Sequence, residues 1–496
     1  MFSLNNENLS RKARLSYLGL ALFTALAFDF FFWDVQVLGF GFFLFVFIYV
    51  IAFTIFSIVN KQVKQPWALA FVVPIFIFSL DILFYNNLFV RNWVPLFVAI
   101  LLFFYSYFLT LRNPEKLKFD LFKLNFLKDI NKAFEKGGKI FSDIFASSKE
   151  KNSDLYKKIL IGIIVSVPIL FVFLGLFMNA DPVFEKRIDN LFNFGVDPAV
   201  FFRIIRTILI TSALGIFFYF LVDVAHKLEK SEKISLKIDK TVAVVVLSLI
   251  NFLFATFVII QLQYLFGSTN FVQEQGLNFA DYARQGFFQL AWVIALSSIV
   301  LLVFYRSASE HGSHIALKLL KIFLVLQVAV IAMSALKRMN LYQDAFGFTT
   351  LRLYVEWFIY FCMALLSFTA VSLAIEFEFR RFFNIIVGLG ILALCVVSSI
   401  NVDRMIARRN IDRFVNEAKE LDVCYIQSLS SDALEEFKRL SPEVFTDEKV
   451  DLCGLKPGSS HIDSSIYMRD NLREKYKYDS WKEFNFSVDK LWKLGN

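Results

Sequence analysis

The strongest constraint on this chain is the recurrence of apolar runs about 20 residues long. That is the length an α-helix needs to cross a hydrocarbon core of about 30 Å. About eleven such stretches follow one another, over roughly 15–33, 36–59, 66–85, 93–111, 159–179, 200–224, 241–266, 287–305, 319–336, 354–375 and 383–400. Most carry Phe, Leu, Ile and Val on every face, the pattern of helices in apolar surroundings rather than of amphipathic surface helices. Composition agrees. Of 496 residues, 57% are hydrophobic and 19% charged, and 63 are Phe, against about 45–50% and about 25% in soluble domains. A disordered chain would be polar and poor in aromatics. A disulfide scaffold would need more than the four Cys present. The expected fold is an all-α, polytopic membrane helix bundle. Pro74 and Pro168 fall inside spans and read as kinks, which membrane helices tolerate when neighbours satisfy the released carbonyls.

Basic residues set the orientation, because short cytoplasmic loops concentrate Lys and Arg. One set of alternate loops holds roughly 27 of them, including Arg11, Lys12, Arg14, Lys61, Lys64, Lys227, Lys230, Lys318, Lys321 and Arg381. The other set holds roughly 7. The N-terminus is therefore expected in the cytoplasm and the tail outside. The net charge of +8 comes from the inner loops and points to anionic inner-leaflet lipid. No nucleic-acid module is visible.

This gives four expected regions. Residues 1–111 form a four-helix membrane segment and 112–158 a cytoplasmic loop. Residues 159–400 form a seven-helix membrane core, and 401–496 a small helical extracytoplasmic tail. In the loop, Phe119, Phe122, Phe126, Ile130 and Phe134 recur at three- and four-residue spacing, with Lys123, Lys128, Lys132 and Lys136 between them. That pattern suits an amphipathic helix lying in the inner headgroup layer, or one packed on the ends of neighbouring spans. In the tail, helices are expected over 403–420, after Ser430 or Ser431, and around Trp481, Phe484, Phe486 and Trp492.

Charges in a membrane are costly, about 2.5–3.5 kcal/mol each on insertion scales, so their positions are informative. On this topology the polar residues gather at the outer boundary: Asp29, Asp34, Asp81, Asp181, Arg203, Arg206, Asp281, Arg284, Lys337, Arg338, Arg352 and Glu356. Arg203 and Arg206 share a helix face, and Arg352 and Glu356 have ion-pair spacing. One reading is mutual pairing, Asp281 with Arg284 and Arg352 with Glu356. The other is a basin for an anionic ligand or envelope partner, formed by Asp181, Arg203, Arg206, Asp281, Arg284, Lys337, Arg338, Arg352 and Glu356.

Several runs resemble a known family. They are Asn179-Ala180-Asp181-Pro182-Val183-Phe184, Gln263-Tyr264-Leu265-Phe266-Gly267, Tyr282-Ala283-Arg284-Gln285-Gly286-Phe287-Phe288, Arg338-Met339 with Leu341-Tyr342, and Leu351-Arg352-Leu353-Tyr354. Together they resemble the bacterial membrane family called domain of unknown function 4173, over about 159–376. The resemblance implies a multi-pass membrane protein and supplies no catalytic residue, activity or cofactor.

Catalytic motifs are missing: no phosphate-binding loop, nucleophile elbow or zinc-binding helix pattern occurs. Of His226, His311, His314 and His461, only His311 and His314 have ligand-like spacing, with no Cys or carboxylate besides Glu310 close by. No cofactor, metal site or catalytic residue is expected. The best reading is a non-catalytic envelope protein. Its alternatives are a transferase on a lipid-linked substrate, with Asp29, Asp34 or Asp181 as general base, and a transporter using Arg203 and Arg206. Deep polar residues are few (Asn251, Gln327 and Ser334), which weakens transport. Finally, Cys424 and Cys453 are the two tail cysteines and are expected to bridge, because an outer compartment is oxidising. Two buried free thiols are the alternative.

Overall fold

A computed structural model describes residues 11–110, 198–219, 221, 240–266, 287–309, 315–437, 439–440, 450–451 and 480–493. The amphipathic loop 112–158, the span 159–179 with Pro168, and all four histidines lie outside these residues.

The remaining ten expected spans are helical. They are α1 (Arg11–Phe32), α2 (Phe40–Val59), a 3-10 turn (Pro66–Phe71) running into α3 (Val72–Phe84), α4 (Leu88–Thr110), α5 (Pro198–Tyr219), α6 (Lys240–Phe266), α7 (Phe287–Ser309), α8 (Ile315–Phe346), α9 (Thr350–Ala374) and α10 (Phe379–Ser398). Eight of these segments are long and apolar enough to cross a membrane; α5 and α7 hold the shorter apolar stretches Arg206–Phe218 and Gln289–Tyr305. The chain is thus an all-α polytopic membrane bundle. The α-helix begins at Val72, so Pro74 sits in its first turn, where the missing N–H has no partner to lose. The fourth helix starts earlier than expected, because Asn87 Oδ1 accepts from Val90 N at 3.0 Å and caps it.

The spans form two apolar cores. Residues of α1 to α4 and α5 build the first, around the aromatic rings of Tyr17, Phe53 and Phe218. Residues of α6 to α9 build the second. Helix α10 joins them, giving Cys395 to the first and Phe382 to the second. The Tyr305 ring stacks on Phe382 at 3.9 Å, and its hydroxyl donates to Phe377 O at 2.8 Å. Outward faces carry large exposed apolar side chains such as Phe252 and Trp292, as expected where lipid is the solvent.

The second core holds polar groups. Asn251 Nδ2 donates to Leu247 O and Leu320 O, and Gln327 Nε2 donates to Asn251 O at 3.1 Å. This ties α6 to α8 with side-chain hydrogen bonds of the kind that hold membrane helices together. Lys321, expected in an inner loop, instead lies in α8 with 3% of its surface exposed. No described acid pairs with it. A buried ammonium costs more than a thioether of similar length. Lys321→Met is therefore expected to stabilise the bundle by about 2 kcal/mol, read as a raised melting midpoint in detergent. A lowered midpoint would show that the ammonium has a compensating partner.

Beyond the spans the described part of the tail is mostly helical. It comprises α11 (Val402–Glu417), β1 (Leu421–Asp422), α12 (Val423–Ser428), a 3-10 turn (Ser431–Ala433), α13 (Leu434–Phe437), β2 (Val450–Asp451), a second 3-10 turn (Trp481–Glu483) and α14 (Phe486–Lys493). Asn401 Oδ1 caps α11 through Arg404 N at 3.0 Å. A two-residue parallel ladder pairs Leu421 with Val450 and Asp422 with Asp451. A third apolar core, with Val402, Ile406, Ile411 and Ile426 at its centre, also takes in Val37 from the α1–α2 turn and Leu353 from α9. The tail is therefore packed into the bundle end, not tethered beside it.

Candidate functional site

The turns α1–α2, α3–α4 and α8–α9, with the end of α10, lie at one end of the helices. Tail side chains hold each of them. Glu483 Oε1 accepts from Gln36 N and from Val37 N at 3.3 Å. Asp432 accepts from Asn86 N and Asn87 N at 3.0–3.2 Å. Asn485 Nδ2 donates to Ile82 O and Tyr85 O at 2.7 and 3.0 Å, closing the last turn of α3. Asn410 both accepts from Phe348 N and donates to Phe348 O, each at 2.8 Å. Below them Asp81 accepts from Ser398 and Ser399 at 2.6 and 2.9 Å, joining α3 to α10. These contacts satisfy backbone groups that turns otherwise leave to water.

The polar groups are buried, and burial shifts them. Asp432 is pushed up to about 6 by desolvation, which the N–H donors of Asn86 and Asn87 only partly offset. Asp403 is also raised by burial, although it accepts from Ser430 N at 3.0 Å.

The same end carries the basic cluster. Arg203 and Arg206 project from the first turns of α5 toward Asp29 near the end of α1. Arg203 Nε and Nη2 donate to Asp29 Oδ2 at 3.0 and 2.7 Å, and Arg206 Nη2 donates to Oδ1. Both guanidiniums stack on Trp33, at 5.0 and 4.8 Å from the ring centre. The arginine side chains remain 39% and 32% exposed, the carboxylate 10%. Among the described residues two cations thus share one anion, leaving one unit of positive charge. Arg206 Nε is buried and has no hydrogen-bond partner. Both Asp29 oxygens are thus engaged by the arginines.

Other expected members behave differently. Arg352 and Glu356 do not pair. Arg352 Nη1 donates to Phe346 O and Gly347 O at 3.0 and 2.7 Å, and its guanidinium lies 4.0 Å above the Tyr342 ring. It closes the end of α8, where unpaired carbonyls attract cations. Glu356, buried, accepts from Gln343 Nε2 at 2.9 Å. Lys337 and Arg338 lie on α8, the first exposed and the second half-buried. Asp34 is exposed in the α1–α2 turn. Asp181, Asp281 and Arg284 fall outside the described residues. Cys424 is disulfide-bonded, while Cys362 and Cys395 are buried free thiols. Cys453 is outside the described residues; its offset from Cys424 is the register of the β1–β2 ladder.

Sequence reasoning missed the anchors Asp432, Glu483, Asn485 and Asn410, because nothing in their neighbouring residues names the distant turns they hold. The signal that was available is Asn86-Asn87 directly after an apolar helix, a turn whose amides need acceptors.

A cavity of about 390 Å³ opens between the end of α3 and the tail. Its lining mixes the aromatic residues Phe84, Tyr85 and Phe486 with the charged residues Arg404, Glu435 and Lys490. Among the described residues no cluster of His, Cys, Asp and Glu has the grouping to hold a metal.

No curated protein and no solved structure matches the chain. The resemblance to domain of unknown function 4173 does not hold: the family model that matches is another one, and it reaches well beyond the expected 159–376. It covers residues 18–440, from α1 through the first half of the tail, and the chain therefore belongs to the family described as domain of unknown function (DUF4153).

Proposed function

We propose that this chain is a membrane-embedded binding protein of the bacterial cytoplasmic membrane, with its tail outside. It takes an anionic ligand, one bearing a phosphate or carboxylate group, at Arg203 and Arg206. The observation that carries this reading is the two-to-one cluster. Two guanidiniums share the single carboxylate of Asp29, both keep about a third of their surface open, and Arg206 Nε has no acceptor. An incoming oxyanion would meet the exposed edges of the two guanidiniums and balance the remaining charge. The engagement of Asp29 by both arginines supports binding over general-base catalysis. The scarcity of basic residues in the loops of the tail-bearing end supports its placement outside.

The test uses the purified protein in nanodiscs with inorganic phosphate as probe, followed by calorimetry. Arg206→Gln keeps the side-chain bulk, and Arg203 still neutralises Asp29. Phosphate affinity is expected to fall at least tenfold, about 1.4 kcal/mol, with the melting midpoint retained. Equal affinity in the two proteins would refute the site.

A further inference from the structure

The cavity beneath the tail has a chemistry distinct from the arginine cluster. Its polar wall carries two cations, Arg404 and Lys490, with Glu435 between them. Arg404 Nη1 lies 2.8 Å and Lys490 Nζ 3.2 Å from Glu435 oxygens. Asp432 adds a second carboxylate at the back. The formal charges balance, so neither a simple anion nor a simple cation is complementary to this wall. A molecule carrying both signs is.

The lining also carries aromatic rings. Phe84 and Phe486 stack with ring centres 5.0 Å apart, and both are partly exposed, at 45% and 39%. Phe84 ends a line of exposed apolar residues on α3 that includes Val73 and Leu80. Spacings of seven and four residues place them on one helix face. This lane runs along the membrane-spanning length of α3 and ends at the cavity mouth. A soluble zwitterion would make no use of it, whereas acyl chains would lie along it with the headgroup in the cavity.

We infer that this cavity is a headgroup site for a zwitterionic aminophospholipid of the phosphatidylethanolamine type. The phosphate faces Arg404 and Lys490, the ammonium faces Glu435, and the chains descend over Phe84 and Leu80. The volume is within the range of small-molecule sites. The three charged side chains are exposed enough to exchange their mutual contacts for contacts with the headgroup. The site is complete only when the tail is docked, since α11, α13 and α14 supply its charges.

The full-length protein, delipidated in detergent and supplied with equal mole fractions of phosphatidylethanolamine and phosphatidylglycerol, is examined by native mass spectrometry. One phosphatidylethanolamine per chain is expected, at an occupancy at least fivefold above that of phosphatidylglycerol. Lys490→Glu removes an exposed cation and is expected to lower that occupancy at least fivefold. Glu435→Gln, measured alongside, is expected to erase the preference between the two lipids, so the proposal does not depend on one variant folding. Arg206→Gln is expected to leave lipid occupancy unchanged, which separates this site from the phosphate site. Equal retention of the two lipids, or unchanged occupancy in the Lys490 and Glu435 variants, overturns the proposal. So does full displacement of the lipid by millimolar free phosphoethanolamine, which would make the occupant a soluble ligand.

Discussion

An Asp432→Ala variant is expected to lose about 3 kcal/mol of tail-docking stability and to become protease-sensitive in the tail at doses that leave the wild type intact. Asp432 is buried, and its carboxylate accepts the main-chain N–H groups of Asn86 and Asn87 at 3.0–3.2 Å. Alanine leaves both donors buried without an acceptor. Hydrogen bonds to a charged group contribute about 1.5–3 kcal/mol each, and stranded donors add a desolvation cost. The same residue sets a pH dependence. Its pKa is raised to about 6 by burial, above the unfolded value near 4, so the folded state takes up a proton first on acidification. Its favourable contribution is fully present below about pH 4 and is lost as pH rises through about 6. Across that window the effect is about 3 kcal/mol at most, at about 1.4 kcal/mol per pH unit. Tail protection should therefore increase from pH 7 to pH 5, and Asp432→Asn should reduce that slope. A slope of the opposite sign would contradict the burial argument.

Gly39→Ala is expected to displace the segment 480–493, at a cost of about 3 kcal/mol. A Cβ at Gly39 would meet the carbonyl oxygen and carbon of Glu483 at 2.7 and 2.8 Å, and the carbonyl oxygen of Phe484 closer still. These are main-chain atoms that cannot rotate aside. Phe40 N donates to Phe484 O at 2.8 Å, which fixes the approach. Overpacking of this kind usually costs about 1–3 kcal/mol, and a clash with backbone sits at the upper end. Gly41→Ala is an internal comparison. Its Cβ would meet Lys482 at 3.1 Å, and a smaller effect is expected there. Hydrogen exchange in 480–493 measures both. Unchanged protection in Gly39→Ala would mean that the seat is looser than the structure indicates.

The helices were legible because crossing a bilayer needs a continuous apolar run, a local property of the chain. The helix α11 and the last amphipathic segment were likewise written in neighbouring residues. Pairings across long separations were not. Arg206 and Asp29 are 177 positions apart, and nothing in the spacing of Arg203 and Arg206 names their acceptor. Local spacing even misled at Arg352 and Glu356. The i, i+4 rule describes an isolated helix, whereas here the carbonyls ending α8 compete for Arg352 and take it. Lys321 was misplaced for a related reason. Charge counting assigns a lysine near a helix start to the loop, but packing of α8 against its neighbours draws that turn into the core.

The bond between Glu483 and the α1–α2 turn has a consequence for how the protein is made. Its partners are 447 positions apart. At about 5–20 residues per second of synthesis, the turn emerges roughly 20–90 s before the carboxylate that holds it. Over that interval its amides have only water as acceptor. Insertion of the early helices therefore proceeds on an end that is still unfinished, and a segment made much later completes it. Resistance of residues 480–493 to proteolysis would then report that the earlier helices are correctly set, because any helix set wrongly beforehand deprives that segment of its seat.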